Sequence, residues 1–269
     1  MQLDSGRSIV HRMKFDLIVV GGGHNGLVCA AYAAEAGLSV CVVERHEEVG
    51  GAAFTEEFHP GFRNSAASYT VSLLEPHIID GLGLYGHGLR IRPRPLENFV
   101  PALDGPGLQL PGDAEERYRE IARHSRRDAE AFARYADKLG KLIRLVRPFF
   151  LEPPLEPLQG IGEIRRAIAL AAKSLGHGGR AVLDAAKLFR QSAGHRLDSY
   201  FETDLLKGAL GFDSIVGHFA SPYDRGSAYL LLHHALGEID GRRGAWGMPS
   251  AVWGRYRRRW PGQPNNEAS

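Results

Sequence analysis

The chain has 269 residues, 43% of them hydrophobic, with a formal net charge of +2. That composition supports a substantial core in one domain or two. The small net charge gives no electrostatic argument for nucleic acid or an anionic membrane, and no apolar run approaches the roughly 20 residues of a spanning helix.

The opening residues, Met1-Gln2-Leu3-Asp4-Ser5-Gly6, carry no signal-peptide pattern. Met13-Lys14 directly precedes the first apolar run, so the preceding residues read as an extra leader or an upstream start site. The expected location is cytoplasmic. From Phe15 the order is strand, glycine turn, helix, strand and carboxylate. Phe15 to Val20 is almost wholly apolar, the pattern of a parallel strand buried on both faces. Gly21-Gly22-Gly23-His24-Asn25-Gly26 follows, and then an alanine-rich helix from about Asn25 to Ala36 that stops at Gly37. A second strand, Leu38 to Val43, ends at Glu44.

This is the arrangement a dinucleotide site requires. Gly21 permits the tight turn, Gly23 lets a pyrophosphate approach the backbone, and Gly26 lets the helix lie close to the sheet. The helix N-terminus favours a phosphate. The two oxygens of Glu44 can accept from both hydroxyls of an adenosine ribose, and its charge repels a 2′-phosphate. Small residues that merely pack a helix on a sheet are the alternative.

Arg45 and then Gly50-Gly51 follow Glu44. Glu-Arg-x(4)-Gly-Gly resembles the extended fingerprint of two-dinucleotide-binding-domain flavoproteins. Gly-Gly-Gly-His-Asn-Gly-Leu-Val, Val49 to Ala53 and Pro60-Gly61-Phe62 resemble the phytoene-desaturase-like branch. That branch includes the pyridine nucleotide-disulfide oxidoreductase domain-containing protein 2 group. Tyr200 to Lys207, Ser221-Pro222, Leu231 to His234 and Arg243 to Gly247 agree, so the resemblance covers about Lys14 to Gly247. It implies an α/β fold: a Rossmann-like FAD-binding βαβ unit with an inserted, mostly helical substrate domain. It implies FAD held by Gly21, Gly22, Gly23, His24, Asn25, Gly26, Glu44, Arg45, Gly50, Gly51 and Ala52. Catalytic residues are left unassigned. The expected division is 14–111 for the flavin-binding part, 112–247 for the helical part and 248–269 for an aberrant, disordered tail.

Cys29 and Cys41 form no C-x-x-C or C-x(4)-C pair, so the redox disulfide of glutathione-reductase-type flavoproteins is absent. Both read as small core residues. From His59 to about Pro111 the chain reads as loops and short strands. Arg63, Ser65 and Ser68 stand as candidates to line the flavin, or as ordinary turn residues. Asp113 reads as an N-cap with Glu116 three residues on, opening a helical run from Glu115 to Val146. Arg123, Arg126, Arg127 and Arg134 are interspersed with acids and read as a mixed, solvated face. Phe149 to Pro157 reads as a proline-broken linker. Helices are expected near Ile161 to Leu175, Gly179 to Gln191, Asp198 to Leu210 and Ser227 to Gly237.

There is no H-E-x-x-H, no cysteine cluster for zinc and no G-x-S-x-G elbow. His233-His234 are adjacent, a poor chelating pair on a helix, and read as structural or capping. His24 stands as a phosphate donor or flavin neighbour, or as surface filler. A second G-x-G-x-x-G is absent, so stable NADPH binding has no visible site. The resemblance then implies hydride transfer from a small apolar organic substrate to the flavin. The electron acceptor (oxygen, a quinone or another), the oligomeric state and contact with a membrane surface stay open; no nucleic acid is expected. The resembling proteins continue for about as long again beyond Gly247. The tail with Trp253, Tyr256 and Trp260 is therefore expected to be a frameshifted or truncated terminus, with the C-terminal half missing and the cofactor held weakly. An inactive fragment or a non-enzymatic flavin or nucleotide binder is the alternative function, and a plain NAD-binding dehydrogenase is a third.

Overall fold

The computed structural model describes residues 14–150, 152–153, 156, 160–176 and 179–249. The leader and nearly all of the expected tail lie outside the described residues, as does much of the linker after Phe150. The chain divides into two compact units. The described part of the first runs through Thr70 and adds His77–Ile91; the second holds Val71–Pro76 and Arg92–Met248.

In the first unit, β1 (Leu17–Val20), α1 (His24–Glu35) and β2 (Val40–Val43) form the expected βαβ turn. The strands pair in parallel, Leu17 opposite Val40 through Val20 opposite Val43. Glycine is required where α1 ends, because Gly37 has φ +87°. There Gly37 N–H donates to Ala34 O and Leu38 N–H to Ala33 O, the paired bonds of a Schellman ending. Asp16 and Ser39 lock the strand entrances, since each backbone N–H donates to the other's side chain.

The expectation that β1 is buried on both faces is corrected. Ile18 is 59% and Val20 86% exposed. Among the described residues β1 pairs only with β2, and α1 covers one face of the pair. Cys29 is likewise exposed rather than core, while Cys41 is half-buried; both are free thiols. Gly26 and Ala30, four residues apart, share the helix face against the sheet, and Cys29 is turned away from that line.

A single 3-10 turn, Gly51–Ala53, leads into the hairpin of β3 (Thr55–His59) and β4 (Phe62–Ser65). The short α2 (Pro76–Gly81) follows, and β5 (Ile91–Pro93) opens the second unit. There β6 (Leu96–Val100) and β7 (Leu108–Pro111) pair antiparallel. Though read from sequence with the flavin-binding part, they pack against the helices α3 (Ala114–Ala122) and α8 (Asp204–Gly211). The other helices are α4 (Arg126–Phe150), α5 (Ile161–Leu175), α6 (Gly179–Leu188), α7 (Ala193–Asp198) and α9 (Ala228–His234). Short strands β8 (Glu238–Ile239), β9 (Arg242–Arg243) and β10 (Gly247–Pro249) close the unit, so Met248 and Pro249 are strand, not tail.

Two apolar clusters share α4. Its first half packs Tyr135 with Leu108, Ile121, Leu197, Phe201 and Leu206. Its second half packs Leu142 and Leu145 with Leu188, Leu232 and Leu236. Asp113 caps α3 as expected, its carboxylate accepting from Glu115 and Glu116 N–H. The expected continuous run to Val146 instead breaks after Ala122, and Ser125 Oγ accepts from Asp128 N–H to restart it. Arg123, Arg126 and Arg127 pair with Glu120, Glu130 and Glu202, which makes the mixed face real.

The expected helix from Asp198 to Leu210 is also split, and Asp128 is the reason. This fully buried carboxylate on α4 accepts from Glu202 N–H at 2.9 Å, Thr203 N–H at 2.9 Å and the Thr203 hydroxyl. It therefore holds the turn from which α8 starts. Asp128→Ala is expected to lower the unfolding free energy by about 3 kcal/mol, because buried donors lose a charged acceptor. Asp128→Asn should fall between the two, since its amide oxygen still accepts. Urea denaturation of the full chain checks the order; an alanine variant as stable as the parent would refute the capping role.

Candidate dinucleotide site

The site assembles within the first unit. The bend after β1 and the start of α1 carry Gly21, Gly22, Gly23, His24, Asn25 and Gly26. Glu44 leaves the end of β2 and turns back onto this bend. Its Oε2 accepts from Gly22 N–H at 2.7 Å and its Oε1 from His46 N–H at 2.9 Å. The His46 bond first, and the Gly22 bond after it, hold the carboxyl below the usual carboxylate range. Glu44 is therefore an anion at neutral pH. Each oxygen keeps acceptor capacity beyond the bond it already makes.

The second glycine pair arrives at the same place. Gly50 N–H donates to Gly22 O at 2.8 Å, and a Cβ added to Gly51 would lie 2.9 Å from Gly23 Cα. Gly51 also has φ +56°. The two loops thus meet backbone to backbone, which any side chain on Gly51 would prevent. A Cβ on Gly26 would come within 2.2 Å of Gly21 O, so this glycine sets how closely the helix approaches the turn. Residues separated in sequence by almost thirty positions converge as their spacing predicts.

These residues fit a pyrophosphate-bearing ligand. The N-cap of α1 is Gly23, in an extended conformation with no side chain capping the helix. No acidic residue stands in the first turn. First-turn N–H groups are therefore left without a side-chain cap, the Glu44 carboxylate being bonded to Gly22 N–H ahead of the N-cap. At Gly23 an added Cβ would meet nothing nearer than Gly51 Cα at 3.9 Å, and at Gly21 nothing within 4 Å. His24, Asn25, Arg45 and Ala52 are exposed at the rim, while Gly22 is buried. Ser65 Oγ donates weakly to Ala52 O at 3.5 Å and accepts from Ser68 N–H at 2.9 Å. The hairpin thus brings Ser65 onto Ala52, next to the glycine pair, with Ser68 bonded to Ser65 behind it; Arg63 is exposed on β4.

Two contributors escaped the sequence reading. Val49 lies over the bend, its Cγ1 2.8 Å from where a Gly22 Cβ would stand. His46 contributes its backbone N–H to Glu44. Val49 stands in the Val49 to Ala53 motif with no role assigned to it, and a backbone donor leaves no side-chain pattern to find. Among the described residues no group of acids, histidines and cysteines could hold a metal. His234 stacks on Trp246 at 5.8 Å, and its Nδ1 is 3.0 Å from Leu230 O, a structural placement. No described helix is long and apolar enough to cross a membrane.

Residues 19–84 match the NAD(P)-binding Rossmann-like domain family. The chain is 36% identical over 260 residues to pyridine nucleotide-disulfide oxidoreductase domain-containing protein 2 of Rattus norvegicus, an alignment covering 91% of this chain and 45% of that protein. It is 45% identical over 119 residues to one of the limonene dehydrogenase polypeptides of Castellaniella defragrans, covering 44% of this chain and 21% of that protein. A putrescine oxidase structure matches at 20% identity and TM-score 0.49, over 83% of this chain and 42% of that one. The chain thus spans about half the length, or less, of the relatives it matches. Its Rossmann-like glycine bend and its similarity to the rat protein over 91% of this chain agree: the chain is a homologue of a part, less than half, of pyridine nucleotide-disulfide oxidoreductase domain-containing protein 2, with an NAD(P)-binding Rossmann-like domain.

Proposed function

We propose that this chain is the FAD-binding part of an oxidoreductase that takes a hydride from an apolar organic substrate. The carrying observation is the meeting of Glu44, Gly22 and the Gly50-Gly51 loop at the N-terminus of α1. A nicotinamide dehydrogenase needs the glycine bend, the helix and the acid. The glycine pair that closes on Gly23 is the additional feature, and it supports a flavin dinucleotide.

The residues divide the work. The backbone at Gly23 and the first turn of α1 would hold the pyrophosphate. Glu44 would bind the ribose hydroxyls and reject a 2′-phosphate. The Gly51–Ala53 turn would support the ligand on its other side. FAD, when bound, supplies a ring that accepts hydride; orientation and exclusion of water are the protein's part. The relative named for limonene dehydrogenase supports a hydrocarbon-like substrate. The opposing reading, a nucleotide binder without activity, is favoured by the family model's NAD(P) description. Location in the cytoplasm belongs to this proposal as well.

Four outcomes are expected. FAD and NADH titrated in parallel against the purified chain should show tighter binding of FAD, with a visible flavin spectrum; tighter NADH binding would favour the nucleotide-binder reading. Glu44→Gln should weaken FAD binding about 10-fold, the loss of charge-assisted hydrogen bonds to the ribose. The parent's affinity should hold across neutral pH and fall only as acid protonates Glu44, below the 4.5 of an ordinary glutamate. Gly51→Val should abolish flavin retention, since its side chain must displace the Gly23 backbone. Fluorescence of released flavin, scored beside circular dichroism, separates lost binding from lost folding.

A further inference from the structure

The helical unit holds a buried cation that none of the preceding chemistry uses. Arg196 on α7 is only 8% exposed. Its Nη1 donates to Gln191 Oε1 at 3.3 Å. Its Nε and Nη2 are buried and have no hydrogen-bond partner among the described residues. These two nitrogens form one edge of the planar guanidinium, the edge whose parallel N–H bonds match the two oxygens of a carboxylate. Leaving that edge bare in the interior is costly, because a desolvated charge has lost its water without gaining an acceptor.

We propose that the Nε–Nη2 edge of Arg196 is a binding point for the carboxylate of a small organic acid, separate from the dinucleotide site. The planar geometry of that edge favours a carboxylate, whose two oxygens match its two N–H groups, over a spherical ion. Arg196 acts electrostatically on the buried Tyr135, whose ring lies edge-on to Tyr200 and Phe201, each at 5.4 Å. Asp213 acts on the same tyrosine, but burial pushes its carboxyl up from the ordinary value while His234 pulls it down. Among the described residues no ion pair joins it to Arg196. The neighbouring polar groups are already engaged: Ser192 Oγ lies 2.7 Å from His195 Nδ1, and Ser227 Oγ accepts from Ala193 N–H. The unmet demand is therefore at the guanidinium.

The test follows thermal unfolding of the full chain without added flavin, in sodium acetate and sodium benzoate against sodium chloride at equal ionic strength. Its failure is thereby distinguishable from failure of the flavin reading. The parent should show a saturable rise of about 5 °C in the carboxylate salts. Arg196→Lys keeps the charge but loses the fork and should lose most of the rise. Arg126→Gln, which removes an exposed charge, should keep it. If Arg196→Lys fails to fold, the parent labelled with 15N-arginine decides: acetate should shift one buried, slowly exchanging Nε–H. No shift in either measurement, or an undiminished rise in folded Arg196→Lys, would overturn the site.

Discussion

The first unit depends on one hydrogen bond between distant parts of the chain: the Gly22 N–H donating to the Glu44 carboxylate at 2.7 Å. It ties the end of β2 to the bend leaving β1. Beside it, Gly50 N–H donates to Gly22 O, so Gly22 is held through both its donor and its acceptor. Three segments are therefore pinned at one residue, and side chains larger than hydrogen are barred where they meet. The geometry that excludes side chains also leaves α1 without a side-chain cap. The close backbone packing and the capacity for an anion thus have a common origin.

This arrangement was legible because its physical demands fall on residue type. A positive φ, a backbone contact or a pyrophosphate approach each calls for glycine, and the glycines recur at fixed offsets. Gly37 and Asp113 were legible for the same kind of reason, as the C-terminal and N-terminal signals of α1 and α3. Ile18, Val20 and Cys29 were not. Their apolar character states what environment they favour, whereas exposure depends on which elements cover them. Periodicity also could not see the break at Ser125 or the gap between α7 and α8. Asp128 and the backbone it caps lie 74 and 75 positions apart, beyond any local pattern.

The two units satisfy buried polar groups in different ways. At the glycine bend, backbone meets backbone, with one carboxylate assisting. In the helical unit, side chains take over: Asp128, Ser192 and Ser227 are each buried and each accepts from a helix-start or turn N–H. Backbone recognition suits a constant partner, because it places few demands on side-chain identity. Side-chain recognition suits discrimination between ligands, because an unpaired buried partner penalises the wrong one.

That difference locates where selectivity resides in the chain. At the glycine bend the one side-chain charge among the described residues that meets the backbone is the Glu44 carboxylate. The helical unit packs the rings of Phe132, Tyr135, Tyr200 and Phe201 in its first apolar cluster, and a buried polar group in such an interior is costly unless paired. Some of its buried polar atoms cap helices and turns and serve the fold, while His124 Nε2 and His233 Nδ1, like the Arg196 edge, have no hydrogen-bond partner among the described residues. A guanidinium edge with nothing to hold is different in kind: it contributes no stability as it stands, and it gains only when a complementary group arrives.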